Sequence, residues 1–327
     1  MKKKKHRREA VFFALILILV LVMLYSGLRI LESTVFFHGE ETGRNPVSKT
    51  ITRDGVDYFP RQDITVLMVL GIDRFGPVAS SGYYRNTGSA DSIMLFVFDE
   101  TNEECTVVYV NRDTMLDMDV LGLRGEYAGT AYGQVALAHT YGDGLESSSV
   151  NVKNTLMKFF HGMTVDYYLT MNMDAVPMMN DAVGGVTVMV KDDFSQVDPS
   201  ITMGEMTLRG DQVLNYVRTR KDVGDQKNVS RMERQQEYVD GFLQALQTKE
   251  RENVNFLVDL YDRVAPYLVS DCPVRTLTSM LERYGSYTIN DVVTPAGENI
   301  IGDGHYEFYV DEEKLDELIV SLFYAAK

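Results

Sequence analysis

Apolar positions along this chain fall into one long unbroken run and, after it, short blocks with strand or helix spacing. From Ala10 to Leu28 no residue is charged, and Val11 to Leu24 is almost wholly aliphatic or aromatic. Those nineteen residues, at 1.5 Å each, make a helix of about 28 Å, close to the thickness of a hydrocarbon core. A cleaved signal peptide has a shorter apolar region ending in small residues. Tyr25-Ser26-Gly27-Leu28-Arg29 is a poor cleavage site, so the expected element is an uncleaved signal-anchor, a transmembrane helix over residues 10–30. Lys2 to Lys5, Arg7 and Arg8 make residues 1–9 a basic stub. The positive-inside rule leaves that stub in the cytoplasm and the rest of the chain outside the membrane.

Residues 31–62 are polar, with Gly39, Gly43, Pro46 and Gly55 among charges, and read as an extracytoplasmic stalk. The texture changes at Asp63. Ile64 to Leu70 is a solid apolar run ending at Gly71, the pattern of a strand buried on both faces. Phe75 to Ser89 is a loop rich in Gly and Tyr. Ser92–Phe98 and Cys105–Val110 read as a strand hairpin. Helical spacing follows over Ser148–Phe160, a strand over Tyr167–Met171, a helix over Met173–Val183 closed by Gly184-Gly185, and a strand over Val186–Val190. Gly210–Tyr216 is a short helix. A longer one from Arg231 to about Leu246 carries Tyr238, Phe242 and Ala245 on one face. Further helices are expected near 254–267, 274–284 and 312–324, with strands at Val292-Val293 and Tyr306–Val310. No Pro- or Gly-rich linker interrupts residues 63–327. The expected fold class is α/β: a single three-layer domain over 63–327, with a central mixed sheet and helices on both faces, preceded by one transmembrane helix.

Charge sharpens this picture. The chain of 327 residues has a formal net charge of −15. The stub's six cations outweigh Glu9 by five, so the part outside the membrane carries −20. So acidic a body repels nucleic acid, and a nine-residue stub is too short to hold a DNA-binding domain. No P-loop is present, which excludes an ordinary NTPase. The five histidines are scattered. Cys105 and Cys272 are 167 positions apart and are compatible with a disulfide outside the cell or with two buried thiols. Six methionines, Met173, Met178, Met179, Met189, Met203 and Met206, read either as core filling or as an adaptable cavity for a lipid chain.

Against this acidic background Arg218, Arg220, Arg231 and Arg234 gather with Gln235 and Gln236 within nineteen residues. The guanidinium fork matches phosphate oxygens. Ser230 and Glu233 form a capping box, so Arg231 opens a helix. Arg231, Arg234 and Gln235 then share one helix face, and Arg218 and Arg220, if extended, point the same way. A focused anion site and a plain surface helix start both satisfy this pattern. Asp73, just past one strand, and Asp91, entering the next, are hard oxygen ligands suited to Mg²⁺. Arg112-Asp113 follows a third strand, either as a site or as a structural ion pair.

Together these segments resemble the LytR–CpsA–Psr family: Val66 to Asp73, Asp91 to Met94, Asn111 to Thr114, Asp181 to Val186, Leu208 to Arg220 and Arg231 to Gln236, in order. The resemblance implies an α/β domain that binds a polyprenyl-pyrophosphate-linked glycan and transfers the phospho-glycan to peptidoglycan. The glycan would be teichoic acid, capsule or a similar wall polymer. It implies Asp73 and Asp91 as ligands of Mg²⁺ (or Mn²⁺). It implies Arg112, Arg218, Arg220, Arg231 and Gln235 at the pyrophosphate, with Arg234 in the same motif. Asp113 is the candidate general base. The expected partners are the lipid-linked glycan, peptidoglycan and the membrane. A non-catalytic lipid-pyrophosphate-binding regulator and a polyprenyl-pyrophosphate hydrolase are the alternatives. The chain departs from the family pattern at Ser89, where Arg is frequent, at Asn111, where Pro is usual, and at Gln134, where Lys is common.

Overall fold

The computed structural model describes residues 50–326, apart from 54, 303–304 and a set of positions between 220 and 286. The stub, the anchor at 10–30, the stalk up to residue 49, and Arg220, Arg231 and Gln235 lie outside the described residues. Among the described residues no helix is long and apolar enough to cross a membrane.

The last part of the expected stalk is structured. Strands β1 (Ile51–Arg53) and β2 (Val56–Pro60) form a hairpin, and β2 also pairs with the final strand of the chain, Tyr324–Ala326. Sequence reasoning missed this because backbone pairing, not an apolar run, makes the sheet.

Four strands then build the centre: β3 (Ile64–Ile72), β4 (Ala90–Asp99), β5 (Glu104–Tyr109) and, further on, Tyr167–Asn172. β3 is antiparallel to β4 and parallel to Tyr167–Asn172, and β4 is antiparallel to β5. Leu268–Ser270 and Thr288–Val293 complete a six-stranded mixed sheet as its outer members. Both faces of β3 are buried: Val66, Met68 and Leu70 on one side, Leu67 and Val69 on the other. Hence the unbroken apolar run rather than an alternating one.

Between β5 and the parallel strand lies a hairpin that sequence reasoning missed, β6 (Met115–Leu121) and β7 (Tyr127–Gln134), followed by a 3-10 turn, Val135–Tyr141. Its Gly and Asp content masks the alternation that buries Met118. Helix α1 (Glu146–Phe159) lays Val152 and Leu156 on the sheet. β8 is the parallel strand Tyr167–Asn172. Near the end of the chain, helix Glu312–Phe323 adds Leu315, Ile319 and Phe323 at four-residue spacing to the same core. Asp311 caps that helix, its Oδ1 accepting from the Lys314 amide at 3.2 Å.

The chain groups into two compact units. The one just described runs to Asn172 and takes in Leu268–Cys272 and Asp291 onward; the other holds Met173–Tyr267 and Pro273–Asn290. The chain crosses between them at 172–173 with no change in composition, so no boundary was legible. The second unit contains α2 (Ala175–Ala182), the hairpin of β9 (Val186–Val190) with β10 (Gly204–Leu208), α3 (Gln212–Arg218) and α4 (Phe256–Val264). Gly184 and Gly185 both have positive φ, +91° and +89°, and turn the chain from α2 into β9. Of the six methionines in this region only Met179 is buried, so core filling does not account for the group. Cys105 and Cys272 are both buried and are not joined in a disulfide, and burial pushes both thiols up, away from the reactive thiolate.

An ion cluster closes the end of the sheet where β3 begins and β4 ends. Arg61 donates Nε to Asp63 Oδ1 at 3.0 Å and NH2 to Asp63 Oδ2 at 2.7 Å, and NH2 also meets Asp99 Oδ1 at 2.8 Å. Burial alone would raise the Asp99 carboxyl, but bonds from Arg61 and Asn102 hold it down at about 2. Arg61 likewise holds Asp63 well below the usual carboxylate range. Depressed carboxylates stabilise the fold above their unfolded value near 3.8, and that contribution is lost as pH falls through the folded value. Arg61→Gln is therefore expected to cost about 2 kcal/mol at pH 7, a charge-assisted pair discounted for the exposure of Asp63. Urea titrations should show the gap to the parent protein closing between about pH 4 and pH 2.

Candidate functional site

At the other end of the same strands β3 stops and Asp73 follows. Its backbone N–H donates to Ser89 O at 2.9 Å, which joins the exit of β3 to the entry of β4 two residues before Asp91. Asp91 accepts from Ser89 Oγ at 2.9 Å and meets Arg112 NH1 at 2.5 Å. Arg112 Nε lies 3.6 Å from Asp113 Oδ1. The structure thus brings Asp91, Arg112 and Asp113 together, with Asp73 tied to their loop through Ser89. The Arg112 side chain is 38% exposed, Asp91 19% and Asp113 23%, so the group is reachable from solvent yet partly shielded from it.

All three departures from the family pattern lie in this network. Asn111 Oδ1 accepts the Asp113 N–H at 3.0 Å, a side-chain-stabilised turn that sets the Arg112-Asp113 loop where proline would set it through φ. Gln134 Nε2 donates to Asp113 Oδ1 at 2.8 Å and to Tyr306 O at 2.7 Å. Ser89 supplies the hydroxyl on Asp91. Neutral groups make these contacts, and Arg112 forms ion pairs with both acids.

Two residues that sequence reasoning passed over hold the loop in place. Asn86 Nδ2 donates to His139 O, Gly142 O and Ser148 Oγ at 2.7–3.0 Å, and Asn86 Oδ1 accepts the Gly88 N–H at 2.8 Å. His139, on the 3-10 turn, places Nδ1 2.7 Å from Gly88 O. The same turn reaches the Arg112 loop, Ala136 N donating to Arg112 O at 3.1 Å. The turn therefore grips both loops. A signal existed: His139 is the one polar side chain in the apolar run Val135–His139.

In the second unit Arg218 is exposed and ends α3, so it closes a helix instead of lying in an extended run; the chain becomes extended only at Thr219. Arg234, in the same motif, is held within its own unit. It is 4% exposed. Nε donates to Tyr216 O at 3.0 Å, NH1 meets Asp192 Oδ2 at 2.5 Å, and NH2 donates to Thr219 O. The guanidinium lies 5.4 Å from the Phe194 ring centroid, and Phe194 stacks on Tyr216. Helical spacing placed Arg234 on a face with Arg231 and Gln235. Burial against Asp192, forty-two positions away, makes it a brace for the Arg218-Thr219 backbone.

A model of the LytR_cpsA_psr family matches residues 33–323. The chain belongs to the LytR–CpsA–Psr family. Among relatives of this LytR–CpsA–Psr protein is TagU of Oceanobacillus iheyensis, named a polyisoprenyl-teichoic acid–peptidoglycan teichoic acid transferase. It is 23% identical over 328 residues, covering 97% of this chain and 94% of that protein. The crystal structure of B. subtilis TagV is similar with a TM-score of 0.56 at 20% identity, covering 80% of this chain and 96% of that one. The structure of TagT bound to LI-WTA is similar with a TM-score of 0.55 at 21% identity, covering 80% and 90%. These structural likenesses establish the fold.

Burial lowers His139 to about 4 from 6.5. Between those values only the unfolded chain binds the proton, so the stability that His139 contributes is complete above pH 6.5 and is lost as pH falls towards 4. The loss amounts to about 3 kcal/mol. His139→Asn keeps a donor for Gly88 O but cannot titrate. Urea unfolding from pH 7 to 4.5 should therefore slope less steeply in the variant than in the parent, and equal slopes would refute the assignment.

Proposed function

We propose that this protein transfers a phosphate-linked wall glycopolymer from a polyprenyl-pyrophosphate carrier to peptidoglycan at the outer face of the cell membrane. The carrying observation is the Asp91–Arg112–Asp113 group beside Asp73 at one end of the buried sheet. Support comes from the family, from the name of the TagU relative and from the likeness to TagT bound to LI-WTA.

In this reading an acceptor sugar hydroxyl attacks the phosphorus that bears the glycan. A bond forms between that oxygen and phosphorus. The bond from phosphorus to the bridging oxygen breaks, and polyprenyl phosphate leaves with the bridging oxygen. Asp113, held by Gln134 at 2.8 Å and beside Arg112, takes the hydroxyl proton. Arg112, with Arg218, Arg220, Arg231 and Gln235 assigned from the resemblance, offsets the charge that gathers on the phosphate oxygens. Such preorganised donors supply most of the acceleration in phosphoryl transfer. Arg234 acts through the Tyr216 and Thr219 carbonyls, which it braces.

The donor set also bears on the ion. No group of three or more His, Cys, Asp or Glu side chains among the described residues could hold a metal by itself. Two carboxylates at adjoining strand ends fit Mg²⁺ (or Mn²⁺), which keeps waters and takes substrate phosphate oxygens, better than a closed structural site. Asp73 and Asp91 would hold it, and it would neutralise pyrophosphate charge there. Asp91 also orients Arg112.

Arg112→Ala and Asp73→Ala, made in the full-length chain in detergent, should each lower transfer from a lipid-linked glycan about 10²–10³-fold, with thermal midpoints within about 3 °C of the parent. Undiminished transfer by both would sink the mechanism. Turnover with the acceptor omitted would reassign the protein as a hydrolase, and binding without turnover as a receptor.

A further inference from the structure

The hairpins beside Asp113 present a tyrosine-rich outer face that the transfer chemistry above does not use. In β6–β7, Val120 pairs with Gly129 and Leu121 with Tyr127, which leaves Ala128 unpaired as a bulge. The bulge brings Tyr127 onto the same face as Thr130 and Tyr132, and Tyr127 Oη lies 2.8 Å from Thr130 Oγ1. Asp117, exposed, is the cross-strand partner of Tyr132.

A second hairpin, Gly297–Ile301 with Tyr306–Val310, continues the surface. Phe308 pairs in parallel with Thr114, and both are buried, at 6% and 2%. Tyr309 therefore emerges on the opposite side, the side of Asp117 and Tyr132, and its phenol pKa is raised, chiefly by its hydrogen bond to Glu307 and least by the Tyr132 phenol. Its cross-strand partner is Glu298, also exposed. Tyr127, Tyr132 and Tyr309 are 63%, 60% and 39% exposed. The Tyr309 hydroxyl donates to Glu307 Oε2 at 2.7 Å, so two of the three rings are pinned through their hydroxyls with their faces still presented.

The surface is continuous with the candidate site. Gln134, the last residue of β7, donates to Asp113 Oδ1, and Phe308 N donates to Asp113 O at 2.8 Å. Flat rings flanked by carboxylates match a β-linked amino-sugar strand, whose ring CH faces stack on aromatics and whose hydroxyl and amide groups donate to carboxylates. The acidic sign of Asp117 and Glu298 disfavours a polyphosphate glycan or an anionic bilayer.

We infer that this face is the acceptor platform: it binds the neutral, hydroxyl-rich glycan strand of peptidoglycan and leads it to Asp113. The inference rests on the transfer reaction proposed above, but its first test uses no donor. A soluble β-linked N-acetylglucosamine hexamer is titrated against the full-length chain in detergent by calorimetry. The parent should bind. The Tyr132→Ala/Tyr309→Ala double variant should bind at least about tenfold more weakly. Tyr132→Phe, which keeps the ring, should match the parent, as should Met203→Ala, an exposed apolar control. No binding by the parent, or parent-like binding by the double variant, overturns the platform. So does preferential binding of a poly(glycerol phosphate) chain or of anionic vesicles. In the transfer assay Tyr132→Ala should raise the acceptor KM about tenfold, leaving kcat and the donor KM unchanged. Hexamer binding that depends on the tyrosines, with no transfer by the parent, would reject the reaction and keep the platform.

Discussion

The antiparallel pairing of Ile64–Ile72 with Ala90–Asp99 is the constraint from which the rest follows. Both strands are buried along their length, and an uncompensated charge there would cost several kcal/mol. Charged groups therefore appear only where the strands end. Because the pair is antiparallel, the exit of the first and the entry of the second fall at the same end of the sheet. Asp73 and Asp91 are placed there by topology. Glu104–Tyr109 runs back to that end, so Arg112 arrives at it too. At the opposite end Asp63 and Asp99 face the same problem and are closed by Arg61. One pair of acids is locked by an arginine into structure. At the other end Arg112 meets Asp91 and stays more than one-third exposed.

Around the second pair the chain replaces family-typical residues without emptying their places. Asn111 makes with a side-chain bond the turn that proline makes with a ring. Gln134 donates to Asp113 and carries no charge of its own. Ser89 bonds to Asp91 and cannot compete with Arg112 for charge pairing. The effect is a site in which neutral side chains, beside Arg112, hold Asp91 and Asp113. The 3-10 turn holds both loops, through His139 and Ala136.

Arg234 shows how one motif divides its labour. Within a cluster of similar arginines one guanidinium is buried against Asp192 and the backbone carbonyls of Tyr216 and Thr219, while Arg218 is exposed. A buried ion pair of this kind gives little net stability but fixes geometry when all its bonds are made. The local backbone that carries Arg218 is thereby set from beneath.

The chain's own pattern determined the central strands, the helices at 146–159 and 312–323, and the residue types that gather into candidate chemistry. Those features depend on near-neighbour periodicity and on the aversion of charge to burial, and both are readable in one dimension. The β6–β7 hairpin, the pairing of Val56–Pro60 with the last residues, and the division into two units were not readable. They depend on backbone hydrogen bonds between distant segments and on a chain crossing that leaves no trace in composition. The same reason explains why Arg234 reads as a ligand by spacing and stands as a brace in space. Helical phase says which residues share a face, but only the packed partner decides whether that face meets solvent or Asp192.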